Sequence, residues 1–127
     1  MTISQGAQIQ PRGGSSLYQY CLLEYNPQSQ GGSLLRARFA FLLALKDERG
    51  NLDFRVHPQW RELIQPEDSE YIGSLLADLP IRAKSQPDNL LKQLCSLSVG
   101  PLQTKQTGQN IADHPAVAEL ISTFEPV

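Results

Sequence analysis

The densest group of chemically capable side chains in this 127-residue sequence is a set of arginines, Arg36, Arg38, Arg55 and Arg61, with His57 among them. A guanidinium fork suits bidentate recognition of phosphate or carboxylate, and the same side chains also serve as the solvated side of a half-covered sheet. Other candidates are sparse. His57 and His114 each precede a proline in a turn-like context, which fits a surface or capping residue better than a catalytic base. There is no G-x-S-x-G, and the Gly13-Gly14 and Gly31-Gly32 pairs lack the lysine and strand-to-helix setting of a phosphate loop. Cys21 and Cys95 lie far apart, each in an apolar stretch and not at metal-ligand spacing, so both are read as reduced and partly buried. The acids are dispersed, and the densest group, Glu67-Asp68-Glu70, falls at a helix start that the helix dipole explains. Glu24 and Asp53 could form a carboxylate pair, a weak signal in a chain with 13 acids. No catalytic, cofactor-binding or metal-binding residue is assigned.

Composition narrows the classes further. Eleven Lys and Arg against 13 Asp and Glu give a net charge of -2 with 19% charged residues, which argues against a dedicated polyanion binder. The length and the 40% hydrophobic content suit one ordinary core. No stretch reaches the roughly eighteen consecutive apolar residues of a membrane helix, and the first residues do not read as a signal peptide. The expectation is a cytoplasmic protein with no membrane partner.

Several elements must position the arginines. Residues 1–16, rich in Gln, Gly and Ser, read as a flexible tail, and 17–127 as a single globular domain. Residues 17–25 are crowded with aromatic and branched side chains and predict a strand, followed by a loop over 28–33. Residues 34–56 predict a β-hairpin around the turn Lys46-Asp47-Glu48-Arg49-Gly50. Reading alternation along both strands places Phe39 and Phe41 on a core face and Arg36, Arg38, Arg55 and His57 on the other. That reading pairs odd with even positions, with Leu42 near Arg55 and Ala40 near His57. Trp60 is expected to plug a sheet edge from a short connection.

Pro66-Glu67-Asp68 opens a helix whose stripe is Ile72, Leu75, Leu76 and Leu79, limited by Pro80. A second helix, capped by Ser85, carries Leu90, Leu91, Leu94 and Leu97 up to Gly100-Pro101. Residues 103–110 read as a loop or short edge strand, and Pro115 starts a last helix with Val117, Leu120, Ile121 and Phe124. The resulting fold class is α+β: a small antiparallel sheet of about three to four strands with about three helices packed on one face. Tyr18, Tyr20 and Tyr25 are expected to be exposed on the strands. The interaction candidates are Tyr18, Tyr20, Arg36, Arg38, Arg55 and His57.

The order Tyr18-x-Tyr20, Leu22-Leu23-Glu24-Tyr25-Asn26-Pro27, an Arg-bearing hairpin strand, Asp68-x-Glu70-Tyr71-Ile72, Leu75-Leu76-x-Asp78-Leu79 and 97–104, closed by the helix from Pro115 to Phe124, resembles the small bacterial family catalogued as domain of unknown function 3037. The resemblance covers about residues 17–125. It carries no established activity or catalytic residue; through genes that neighbour toxin-type serine/threonine kinases it implies an accessory or regulatory protein. Residues and resemblance together favour a non-enzymatic protein-interaction module that binds a protein partner or a second copy of itself as a homodimer. The alternatives are nucleic-acid binding by the arginine face and an enzyme with an unrecognised carboxylate site.

Overall fold

The computed structural model describes residues 18–27, 38–98 and 100–127. The expected tail over 1–16, the loop over 28–33 and Arg36 lie outside these residues. Strand β1 (Gln19–Tyr25) runs beside β2 (Phe39–Lys46), which pairs with β3 (Leu52–Val56). Helices α1 (Trp60–Leu63), α2 (Pro66–Ser85) and α3 (Pro87–Leu94) follow. The chain then returns as β4 (Leu102–Gly108), passes a 3-10 turn (Ile111–Asp113) and two short helices, α4 (Pro115–Ala118) and α5 (Leu120–Thr123), and ends in β5 (Glu125–Pro126). All pairings are antiparallel, in the order β4-β1-β2-β3-β5. The α+β class stands, with five strands in place of three to four.

The helices do not share one face. Cys21, Leu23 and Tyr25 of β1 pack with Leu42, Ala44, Phe54 and Val56 against α1, α2 and α3. Tyr20 and Leu22 point the other way and join Leu43 and Leu45 under Ile111, Val117 and Phe124 of the C-terminal segment. A strand with both faces buried carries an unbroken apolar run, which is what 20–23 and 39–45 show. Tyr20 and Tyr25 are accordingly fully buried, not exposed.

The hairpin register also differs from the expected one. Asp47 and Asn51 pair across a three-residue loop: the Asp47 N–H donates to the Asn51 carbonyl (3.0 Å), the Gly50 N–H to the Asp47 carbonyl (3.1 Å), and Gly50 sits at φ +88°. An odd loop pairs positions of equal parity, so Leu42 faces Val56 and Leu43 faces Arg55. Farther along, Leu23 faces Leu42 while Glu24 faces Ala40, which leaves Phe41 as the extra residue of a β-bulge. The bulge inverts the alternation and puts Phe39 and Phe41 on the same side as Leu42.

Helix α2 runs through Pro80 to Ser85 although proline forfeits one backbone bond. Its last turn is held from outside, where Arg82 donates to Gln93 Oε1 of α3 at 2.5 Å. Ser85 ends α2 and does not cap α3; its hydroxyl donates back to the Arg82 carbonyl. Helix α3 stops at Leu94, and the expected C-terminal helix is split into α4 and α5.

Two expected outcomes follow from close contacts. A Cβ on Gly108 would come within 2.5 Å of Tyr20 Cε1, a ring buried between the sheet and the C-terminal layer. Gly108→Ala should therefore destabilise the fold by about 1–3 kcal/mol, measured by urea unfolding. Asp47 accepts hydrogen bonds from the N–H groups of Arg49 and Asn51, both at 2.9 Å. Slight desolvation pushes its carboxyl up, but the bonds from Asn51 and Arg49 outweigh that and hold it below the ordinary aspartate range. The unfolded chain takes up this proton first, so the contribution is complete above the ordinary aspartate pKa and is lost as pH falls through the lower folded value. Asp47→Ala should flatten the acid limb of the stability–pH curve, by less than about 1 kcal/mol because the site is open to solvent.

Candidate interaction surface

Strand β3 carries Arg55, whose side chain is already engaged. Its Nε lies 3.3 Å from Asp53 Oδ2, and Nη1 donates to the Ile121 carbonyl of α5 at 3.4 Å. His57 accepts the Gln59 N–H at Nδ1 (3.1 Å), and its ring packs between Phe39 and Phe124 at centroid distances of 5.3 and 5.7 Å. Tyr20 accepts a hydrogen bond from Gln106 Nε2 at 2.7 Å and meets the His114 ring edge-on. Tyr18 is half-buried against the same layer, and its carbonyl receives the Ile111 N–H. Arg38 is exposed at the start of β2. Of the interaction candidates, Tyr18, Tyr20, Arg55 and His57 hold the C-terminal layer to the sheet, and Arg38 stands apart from them.

The sheet edges are guarded. β4 has a bulge at Lys105, where Leu22 faces Gln106 and Leu23 faces Thr104, and the Lys105 ammonium pairs with Glu24 at 3.0 Å. The Thr104 N–H is already used by the Leu97 carbonyl at 2.9 Å. β5 is two residues long and includes Pro126, which has no N–H to offer. A charge, a bulge and a proline at the edge discourage strand addition, so these edges make poor docking sites.

Between α2 and the β3–β5 rim the surface opens into a groove of about 810 Å³. Its apolar lining includes Pro80 and the nearly buried Val56, Trp60 and Leu76, and Ser69, Gly73 and Ala77 line it from α2. These three small residues recur every four positions, which puts them on one helix face. At one side Arg61 lies 4.7 Å above the Trp60 ring, with no carboxylate partner among the described residues. Glu125, Pro126 and Val127 line the groove from the rim. The signal in the sequence was the Ser69-x-x-x-Gly73-x-x-x-Ala77 spacing, which the Leu and Ile stripe of the same helix overshadows.

Gly73 is the informative residue of this wall. It lies in the interior of a twenty-residue helix, has no positive φ, and an added Cβ would meet nothing within 4 Å. Glycine there gives up about 0.5–1 kcal/mol of helix stability relative to alanine with no packing return. Its effect is to keep the groove open to the helix backbone.

Two further features mark the α1–α3 layer. Tyr25 donates to Asp68 Oδ2 at 2.5 Å and accepts the Gln65 N–H at 3.0 Å, docking the start of α2 on β1. Cys21 and Cys95 converge where the end of α3 meets β1, beside a second cavity of about 370 Å³. No group of three or more His, Cys, Asp or Glu that could hold a metal ion occurs among the described residues. Nor is any helix among them long and apolar enough to cross a membrane.

The chain matches no protein-family model, no curated protein and no solved structure. Gly73→Ala is expected to raise the unfolding free energy by about 0.5–1 kcal/mol in urea titrations. A loss of stability would mean that Gly73 has a packing role.

Proposed function

We propose that the protein is a non-enzymatic interaction module that receives a segment of a protein partner in the groove between α2 and the β3–β5 rim. The observation that carries this reading is Gly73: a stability cost in mid-helix, free of local steric need, at the wall of a groove of about 810 Å³. Small side chains along α2 let a partner backbone approach closely, and Ala77, Pro80, Pro126 and Val127 supply the apolar contact, since the Trp60 ring is itself buried in the core. Arg61, held over that ring, selects a partner carboxylate beside the apolar contact. An accessory role of the kind implied by the family resemblance fits the same surface.

The sheet-face route to the same function is less favoured, because Arg55, His57 and Tyr20 are spent on internal contacts. For nucleic acid the described arginines form no continuous stripe, and steep salt dependence is the property that would bring that reading back.

The test is capture of partners from native lysate, nuclease-treated, by the tagged protein and by Gly73→Trp, a change that fills the groove from its wall. A stoichiometric protein held by the natural chain should bind the variant roughly tenfold or more weakly, about 1.4 kcal/mol, with the circular dichroism spectrum unchanged. Equal capture by both proteins, or capture of nucleic acid alone, would overturn the proposal.

A further inference from the structure

Cys21 is fully buried on β1, and its thiol donates to the carbonyl of Leu94, the last residue of α3, at 3.1 Å. That contact brings the next residue, Cys95, against the same spot, where it packs on the α1–α3 core that includes Cys21. The two thiols differ in access. Cys95 is half-buried and lines the 370 Å³ cavity, while Cys21 does not reach it.

Lys46, Lys92 and Asp88 share that cavity with Cys95, two cations to one anion. Lys46 is paired with Asp88, whereas Lys92 is exposed and has no carboxylate partner among the described residues. Positive charge beside an accessible thiol suits a small disulfide that carries carboxylates of its own.

We infer that Cys95 and Cys21 form a thiol–disulfide exchange site that takes a low-molecular-weight, carboxylate-bearing disulfide such as oxidised glutathione and becomes an internal disulfide. In the first step the Cys95 thiolate attacks one sulfur of the small disulfide. Its S–S bond breaks, a mixed disulfide forms on Cys95, and one small thiolate leaves and takes up a proton. Cys21 then gives up its proton and attacks the Cys95 sulfur; the mixed disulfide breaks, and the second small thiolate leaves with that proton. Two protein thiols are oxidised and one small disulfide is reduced to two thiols.

The surroundings tolerate this change. Oxidation removes the Cys21 donor from the Leu94 carbonyl, but Thr104 Oγ1 donates to the same oxygen at 2.6 Å, so the acceptor keeps a partner. Burial, and then the neighbouring Cys95, push the Cys21 thiol well above the ordinary cysteine range. Attack therefore begins at Cys95, and the second step is the slow one, so the mixed adduct comes first in time.

The experiment treats the full chain with oxidised glutathione and follows intact mass, free thiols and disulfide-linked peptides. Two titratable thiols should fall to none, with a glutathione adduct that appears first and then gives way to a Cys21–Cys95 linkage lighter by two hydrogens. Cys21→Ala should stop at the adduct on Cys95, and Cys95→Ala should form no adduct unless denatured. A lasting adduct on the natural protein, a disulfide only between copies, or thiols that stay free under conditions that oxidise the denatured chain would each overturn the inference. If either variant fails to fold, the mass and peptide map of the natural protein decide the question alone.

Discussion

Strand β1 buries both of its faces, and most of the architecture follows from that requirement. Tyr20 and Leu22 on one side and Cys21, Leu23 and Tyr25 on the other are nearly or wholly removed from water. An antiparallel sheet normally leaves one face wet, so two buried faces demand a separate cover for each. Helices α1 to α3 supply one cover, and the 3-10 turn with α4 and α5 supplies the other. β1 must also have a strand on both edges, since its amides have no water to turn to. β2 and β4 fill those places, each with one extra residue opposite the middle of β1.

The two bulges let neighbouring strands meet different needs along their length. At Phe41 the bulge gathers Phe39, Phe41 and Trp60 on the helical side, with Tyr25 tilted against Phe39 at 5.4 Å and Trp60 edge-on to Phe41 at 5.9 Å. At Lys105 the bulge turns a long cation to Glu24 on the sheet edge. The thinner C-terminal cover, built from helices of four residues, cannot rely on helix length for stability. Side chains from the sheet hold it instead: Arg55 on the Ile121 carbonyl, His57 on Phe124, and Tyr20 through Gln106 to His114. Arg55, His57 and Tyr20, three of the interaction candidates, thus fasten one layer to another.

Much of this was legible in the sequence. The stripe Ile72, Leu76 and Leu79 faces the core, as do Leu90, Leu91 and Leu94, because helical spacing leaves little freedom over which face is buried. Strands 1 to 3 and the buried Trp60 fall where aromatic density and turn residues place them. The register was lost to one residue of loop length: Gly50 marks a left-handed turn position in loops of more than one length, and an odd loop reverses every parity downstream. The second cover was lost because 39–45 was read as alternating, when its unbroken apolar character is the mark of a strand with no wet face. Pro80 misled for a different reason. Its penalty is local, whereas the bond between Arg82 and Gln93 that carries the helix past it joins residues in two different helices.

The candidate sites follow from the same division of labour. Once both sheet faces are closed and the edges are guarded, one of the concave surfaces on the α1–α3 layer lies where α2 departs from the sheet rim. There the chain places Ser69, Gly73 and Ala77 in a row beside Val56, Trp60 and Leu76, which are already nearly buried. Gly73 is the clearest sign of this, because a helix selected for stability alone favours alanine at a position with free space around the missing Cβ. At the end of α3 the two cysteines meet because the helix must finish against β1 to cover Leu23 and Leu102. The sequence distance that made them look unrelated is the length of the hairpin and three helices that fold between them.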